Sequence, residues 1–266
     1  MNANELADPG LLTPKPVRII DHAVSYLGVK YQLLPGWRPL TLDLHVPADT
    51  TSVSPVVVYA HGGGFSVGMK EMGPWAQLPR HGFAVASIDY RLSSEAAYPA
   101  ALSDTLAAIE WLRDNAAIYN LDQRLIAGWG SSAGGYLMAG AALSDQAAVH
   151  LSALVLHYPL TNPVEAPSLR SFFVGLDDAA LAHASVSRAV TYAPRVPPMH
   201  ISHGDADRHV DVGQSVQVHQ AVLDAGGVST MNIVNGARHA DPRFAAPELV
   251  DPAVRFLKEM MCVSPT

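Results

Sequence analysis

Leu125-Ile126-Ala127-Gly128-Trp129-Gly130-Ser131-Ser132-Ala133-Gly134-Gly135-Tyr136 is the stretch on which the fold turns. Residues 125–129 read as a buried apolar strand, and residues 133–143, rich in small side chains, read as a helix. The turn between them, 130–135, has the spacing Gly130-x-Ser132-x-Gly134. It puts a residue without a Cβ two positions on either side of the serine, where strand and helix backbones come close together. A serine hydroxyl is a poor nucleophile: it needs a base, a place for the developing oxyanion, and a backbone that pushes the oxygen into a cleft. An elbow here supplies the last, and it leaves the Ala133 N–H and the helix dipole facing the reacting oxygen. Taken alone, the same glycines also fit an ordinary tight turn, so the rest of the chain has to decide.

Working outward, residues 56–60, 83–88, 153–156 and, less purely, 199–202 are also continuously apolar. Strands covered on both faces look like this, and they imply a parallel sheet between helices. The segments between supply the helices. In 101–116, Leu102, Leu106, Ile109 and Leu112 recur at helical spacing, opposite Asp104, Glu110, Arg113 and Asp114. A second helix at 214–225 stops at Gly226-Gly227, and a last one spans 247–261. Upstream, 23–34 and 40–46 are strand-like and joined by a turn at Pro35-Gly36. In Leu40-Thr41-Leu42-Asp43-Leu44-His45-Val46 the alternation predicts an antiparallel strand with one wet face.

The expectation is therefore a single α/β domain over residues 1–266, with a mostly parallel central sheet, antiparallel N-terminal strands and helices on both faces. Two segments stand outside this rhythm. Residues 1–16 read as an extended arm, and 160–197, with Pro163, Pro167, Pro194 and a helical candidate at 178–190, reads as a small lid insertion or an ordinary long connection.

Composition bounds the partners. The formal charge of −7, without a Lys/Arg run, argues against nucleic acid or an anionic membrane as the main partner. The single cysteine, Cys262, excludes an internal disulfide and any multi-cysteine metal site. No stretch is long and apolar enough to span a bilayer, and the first ten residues have no apolar signal region, so a cytoplasmic protein with a small-molecule substrate is expected.

His61-Gly62-Gly63-Gly64-Phe65 follows the strand 56–60 directly. Three glycines in a row cost conformational entropy, and at the end of a central strand they let backbone approach a ligand closely. The N–H groups of Gly63 and Gly64, with that of Ala133, are the candidate oxyanion hole; the same glycines also fit a flexible turn. His61 reads as structural. A base and its orienting acid are expected later in the chain. Asp207, in His203-Gly204-Asp205-Ala206-Asp207, follows the strand 199–202, and His239 follows the strand-like 228–234. Both fall on the sheet edge that carries Ser132, with Asp205 as the competing acid. His200, His203, Asp205, Asp207 and His209 form a denser cluster, but on a strand and a tight turn their side chains point in several directions, and no metal is expected.

Taken together, His61–Phe65, Asp89-Tyr90-Arg91-Leu92, Tyr98-Pro99, Gly130–Gly135, His203-Gly204 with Asp207, and Gly236 with His239 resemble the α/β-hydrolase superfamily. Within it, the resemblance is to small carboxylesterases allied to the hormone-sensitive-lipase and feruloyl/acetyl-xylan esterase-like groups. It implies a Ser132/Asp207/His239 triad and no metal or organic cofactor. Ser131 stands where hormone-sensitive-lipase relatives usually have Asp, and no long N-terminal helical cap precedes the domain. The expected activity is hydrolysis of small short-acyl esters through an acyl-enzyme on Ser132. An aryl formamidase or lactonase with the same triad, and a non-catalytic ligand-binding homologue, are the alternatives. Phe65, Ser131, Phe172 and Phe173, with Trp129 and Tyr136, are candidates to line the pocket. A homodimer through a sheet or helix edge is left open.

Overall fold

The computed structural model describes residues 15–48, 52–146, 150–166 and 172–261; most of the N-terminal arm and Cys262 lie outside the described residues. Eight strands form one sheet: β1 Ala23–Gln32, β2 Leu40–Pro47, β3 Ser54–Ala60, β4 Ala84–Ile88, β5 Leu121–Ser131, β6 Leu154–His157, β7 Met199–Gly204 and β8 Ser229–Val234. Their order is β1-β2-β4-β3-β5-β6-β7-β8. The β1/β2 and β2/β4 pairs are antiparallel and every pair from β4/β3 to β7/β8 is parallel. Among the described residues, six α-helices pack around it: α1 Ala100–Asp114, α2 Ala133–Ala142, α3 Asp178–His183, α4 Val186–Tyr192, α5 Val212–Asp224 and α6 Pro247–Met260.

The period of two in β3 shows why its run is apolar throughout. Val56 and Val58 enter one core with residues of α1, α2, α4 and α5, while Val57 and Tyr59 enter the other with Val250, Val254 and Leu257 of α6. Each fully buried Val is worth roughly 1.5–3 kcal/mol relative to exposure, so both faces hold this strand in the centre of the sheet.

Three expectations need revision. Asp43 and His45 of β2 are buried, so that strand has no wet face. A 3₁₀ helix at Pro74–His81 lies over it, Trp75 stacking on His45 at 4.7 Å, and Ser25 Oγ bonds His45 Nδ1 at 2.8 Å. The helical candidate at 178–190 is two short helices: Asp177 caps the first through the Ala180 N–H at 2.8 Å, and the break falls at Ala184-Ser185. Finally, β5 begins at Leu121, four residues before its apolar run, where Leu121 pairs with Ser54 of β3 and Asp122 is held by Arg124 two residues on at 2.9 Å.

The consequence for function is positional. The connections after β3, β5, β6, β7 and β8 all leave from the same edge of the parallel sheet, the edge where ligands bind in open α/β folds.

Candidate active site

Ser132 sits between β5 and α2 with φ 53° and ψ −117°, a sparsely populated conformation that costs on the order of 1–3 kcal/mol. The surroundings hold it there. Its N–H donates to the His157 carbonyl at 2.9 Å, and its carbonyl accepts from Gly135 at 3.0 Å and Leu160 at 3.1 Å. A Cβ on Gly130 would collide with the Gly134 carbonyl, and one on Gly134 with the Ala60 carbonyl, so the crossing of strand and helix requires glycine at both positions.

The structure brings Ser132, His239 and Asp207 together from three loops. Ser132 Oγ lies 2.9 Å from His239 Nε2, and His239 Nδ1 lies 2.6 Å from Asp207 Oδ2. The Asp207 side chain is fully buried. Burial alone pushes its carboxyl pKa up, but hydrogen bonds from His203, His239 and the N–H groups of Val210 and His209 outweigh it and hold the group well below the usual carboxylate range. An ionised Asp207 only accepts, so His239 carries its hydrogen on Nδ1 and leaves Nε2 free to take the serine proton. Asp205 is engaged elsewhere, accepting from the Gly236 N–H at 2.6 Å. Of the other histidines in that cluster, His200 meets Thr230 Oγ1 at 2.8 Å, and His203 lies between Ser215 Oγ at 2.7 Å and Asp207 Oδ2 at 3.1 Å. Among the described residues, no group of three or more His, Cys, Asp or Glu side chains converges as a metal site would require.

The glycine loop lies against the elbow, with Gly62 packed on Ser131 and Ser132. Among the described residues, no backbone hydrogen bond of the loops and turns uses the N–H of Gly63, Gly64 or Ala133. His61 is buried under this loop. It stacks on Tyr90 at 4.4 Å, and the Tyr90 hydroxyl donates to the His61 carbonyl at 2.8 Å. Further along, Lys70 ties the same loop to Asp89 at 3.2 Å and Asp43 at 3.7 Å.

A cavity of about 550 Å³ opens over Ser132. Gly62, Gly63, Gly64, Ser131 and His239 line it, but Phe65, Phe172 and Phe173 do not. Phe65 stacks flat on Phe172 with ring centres 3.8 Å apart, Phe173 meets Phe65 edge-on, and all three are buried in the core. Trp129 and Tyr136 are core residues too. Phe65 has φ 60°, and its ring meets Tyr136 edge-on at 5.9 Å. The aromatic walls are instead Tyr59, Tyr158 and Phe244, joined by Met72, Pro74 and His209. Tyr59 donates to Ser131 Oγ at 3.1 Å at the cavity floor. Position could have revealed Tyr158 in the sequence: it stands directly beyond β6, on the edge where Ser132 stands beyond β5.

The BD-FAE family model matches residues 42–222. The chain belongs to the BD-FAE family. The match runs from β2 into α5 and includes the glycine loop, Ser132 and Asp207; His239 lies beyond it. Among curated relatives, this BD-FAE chain is 36% identical over 138 residues to carboxylesterase NlhH of Mycobacterium tuberculosis, covering 51% of the chain and 40% of NlhH. It is 30% identical over 234 residues to esterase LipQ of the same organism, covering 77% of the chain and 55% of LipQ. The chain thus spans about half the length of the curated relatives it matches. Among solved structures, a truncated carbohydrate esterase from gut microbiota superposes with TM-score 0.80 at 24% identity, covering 93% of this chain and all of that one. Thermogutta terrifontis esterase 2 phosphoramylated by tabun gives TM-score 0.78 at 23% identity, covering 94% of this chain and 100% of that one. The fold of this BD-FAE member is the α/β-hydrolase fold.

Proposed function

We propose that the protein is a serine hydrolase that cleaves small short-acyl carboxylic esters, with Ser132 as nucleophile, His239 as general base and acid, and Asp207 as the residue that orients His239. The observation that carries this reading is the unbroken chain from Ser132 Oγ through His239, 2.9 Å and 2.6 Å, to a buried, ionised Asp207 beneath an open cavity. The names of NlhH and LipQ, an esterase activity in each case, support the same bond class.

In this mechanism His239 Nε2 takes the Ser132 proton as Oγ attacks the ester carbonyl carbon. The oxyanion is held by the N–H groups of Gly63, Gly64 and Ala133, where a single donor is worth roughly 3–4 kcal/mol of barrier. His239 then returns the proton to the departing alcohol, and an acyl group remains on Ser132. Water, deprotonated by the same imidazole, repeats the attack and releases the acid. The walls carry Met72, Pro74, Val210 and Phe244 with the hydroxyls of Tyr59 and Ser131, and Asp241 also lines the cavity, which would repel an anionic substrate. This favours an uncharged ester with a compact acyl group.

The test is turnover of nitrophenyl esters from acetate to decanoate, with an aryl formamide alongside. A maximum at acetate or butyrate is expected. Turnover of the formamide alone would move the reaction to another acyl bond, and failure to label Ser132 with a serine-directed phosphonate would overturn the serine-hydrolase reading.

A further inference from the structure

Two donors on Asp207 come from loop backbone and one from His239, but the fourth comes from a side chain that the mechanism above does not use. His203, in β7, is completely buried. Its Nε2 lies 3.1 Å from Asp207 Oδ2 and 3.0 Å from the Val210 carbonyl. Both of those oxygens only accept, so Nε2 carries the ring hydrogen and shares it between them. On the other side of the ring, Ser215 Oγ of α5 lies 2.7 Å from Nδ1 and donates its hydroxyl hydrogen there. The neutral ring thus has both nitrogens satisfied and one orientation.

The two carboxylate oxygens are held differently. Oδ1 accepts the N–H groups of His209 at 2.8 Å and Val210 at 3.0 Å, which fixes that oxygen to the loop. Oδ2 is the oxygen that meets His239, and its other partner is His203. Rotation of the carboxylate about its bond to Cβ moves both oxygens, so the N–H bonds on Oδ1 resist it from the loop side and His203 resists it at the oxygen that meets His239.

We propose that His203 is a positioning residue for this site: its Nε2–H, locked by Ser215, fixes Asp207 Oδ2 at the point where His239 Nδ1 meets it. The proposal rests on the reading of Ser132, His239 and Asp207 as an acyl-hydrolysing triad. His203 acts on the reaction in two ways. It sets the angle of the His239 ring, which is felt in kcat. Its N–H dipole also draws charge from Oδ2, so its loss lets Asp207 hold the His239 imidazolium more tightly and moves the acid limb of the pH–rate profile to higher pH. The titratable groups around His239 are Asp207, Tyr158 at 4.9 Å between rings, His209 at 5.5 Å and, across the cavity, Asp241. Of these only Asp207 touches His203.

The experiment compares His203→Phe, which fills the space without a donor, with His203→Gln, whose amide can restore one. It measures kcat and KM on nitrophenyl butyrate from pH 5 to 9, thermal unfolding, and the downfield proton resonance of His239 Nδ1–H. For His203→Phe the expected result is a kcat lower by about tenfold, as for one hydrogen bond to a charged group, with KM within twofold, the acid limb moved up and the resonance displaced. His203→Gln recovers most of each. A folded His203→Phe protein with the wild-type profile and resonance overturns the proposal, as does a loss that follows the unfolded fraction alone. If His203→Phe does not fold, Ser215→Ala removes only the lock, and the proposal requires a displaced His239 resonance in it. Should the wild type hydrolyse no ester, the functional reading fails while the resonance still tests His203: displacement by Phe and recovery by Gln supports positioning, and no displacement refutes it.

Discussion

Two groups of aromatic side chains lie beside the elbow, and they do opposite things. Phe65, Phe172 and Phe173 pack with Tyr98 and Tyr136 against one another and leave no space. Tyr59, Tyr158 and Phe244 stand round a cavity of about 550 Å³. Composition does not distinguish the groups; attachment does. Phe65, Phe172 and Phe173 lie on the connections after β3 and β6 and pack into the core, whereas Tyr59 and Tyr158 stand at and just beyond the ends of parallel strands, where the sheet opens. Substitutions on the closed side should therefore cost stability, and those on the open side should cost turnover.

The largest separation is expected at Ser132→Ala. The side chain is lost from the open side and the strained backbone is kept, so ester turnover should fall by at least about a thousandfold while the unfolding midpoint in urea stays put. A tenth of wild-type activity in that variant would remove Ser132 from the chemistry and with it the meaning of the open side.

Phe172→Ala and Tyr158→Ala sharpen the contrast from both directions. Phe172 is fully buried and stacked, so its truncation should destabilise by about 3–5 kcal/mol, with KM of the remaining folded enzyme close to wild type. Tyr158 borders the cavity and packs edge-on to His239, so its truncation should lower kcat/KM by about tenfold or more at a smaller cost in stability. If the Phe172 variant changed substrate preference instead, the closed side would be a pocket that opens in solution.

How much of this was legible in the sequence follows the same division. The parallel strands declared themselves as apolar runs, and the elbow, the glycine loop, Asp207 and His239 as short motifs beyond strand ends, because each depends on local spacing. The second core face was harder to read. Pro74–His81 has the prolines and polar residues of a loop, yet it covers β2 as a 3₁₀ helix, so Asp43 and His45 are buried where alternation predicted water. Nor could side-chain type tell Phe65 from Tyr59, since both are aromatic residues on or next to β3 and only their tertiary packing separates them. His203 was visible as one of a cluster of histidines, but its contact with Asp207 depends on a turn that spacing alone does not specify.

The smallest of these effects per site, and the most general, concerns acid. Beneath the open side lies His157, whose two ring nitrogens have no hydrogen-bond partner among the described residues and which packs against Trp129 and Phe244. Burial pushes its pKa down to about 3, and does the same to His45 and His200, each to about 4. In the unfolded chain these rings titrate near 6.5, so below that pH the unfolded state binds more protons than the folded one. Stability is then full above about pH 6.5 and falls as the pH drops toward 4, by about 1.4 kcal/mol per pH unit for each ring. Asp207 acts in a separate, lower window, because its lowered carboxyl pKa contributes stability that is lost only below about pH 4. Urea unfolding at pH 7, 6, 5 and 4.5 measures the upper window, and His157→Phe should reduce the slope there by about 1.4 kcal/mol per pH unit. The side chain is similar in size and its neighbours are already aromatic, so the variant should match or exceed wild-type stability at pH 5. An unchanged slope would mean that water reaches His157 from the cavity above, and that the open side extends one layer deeper than its walls.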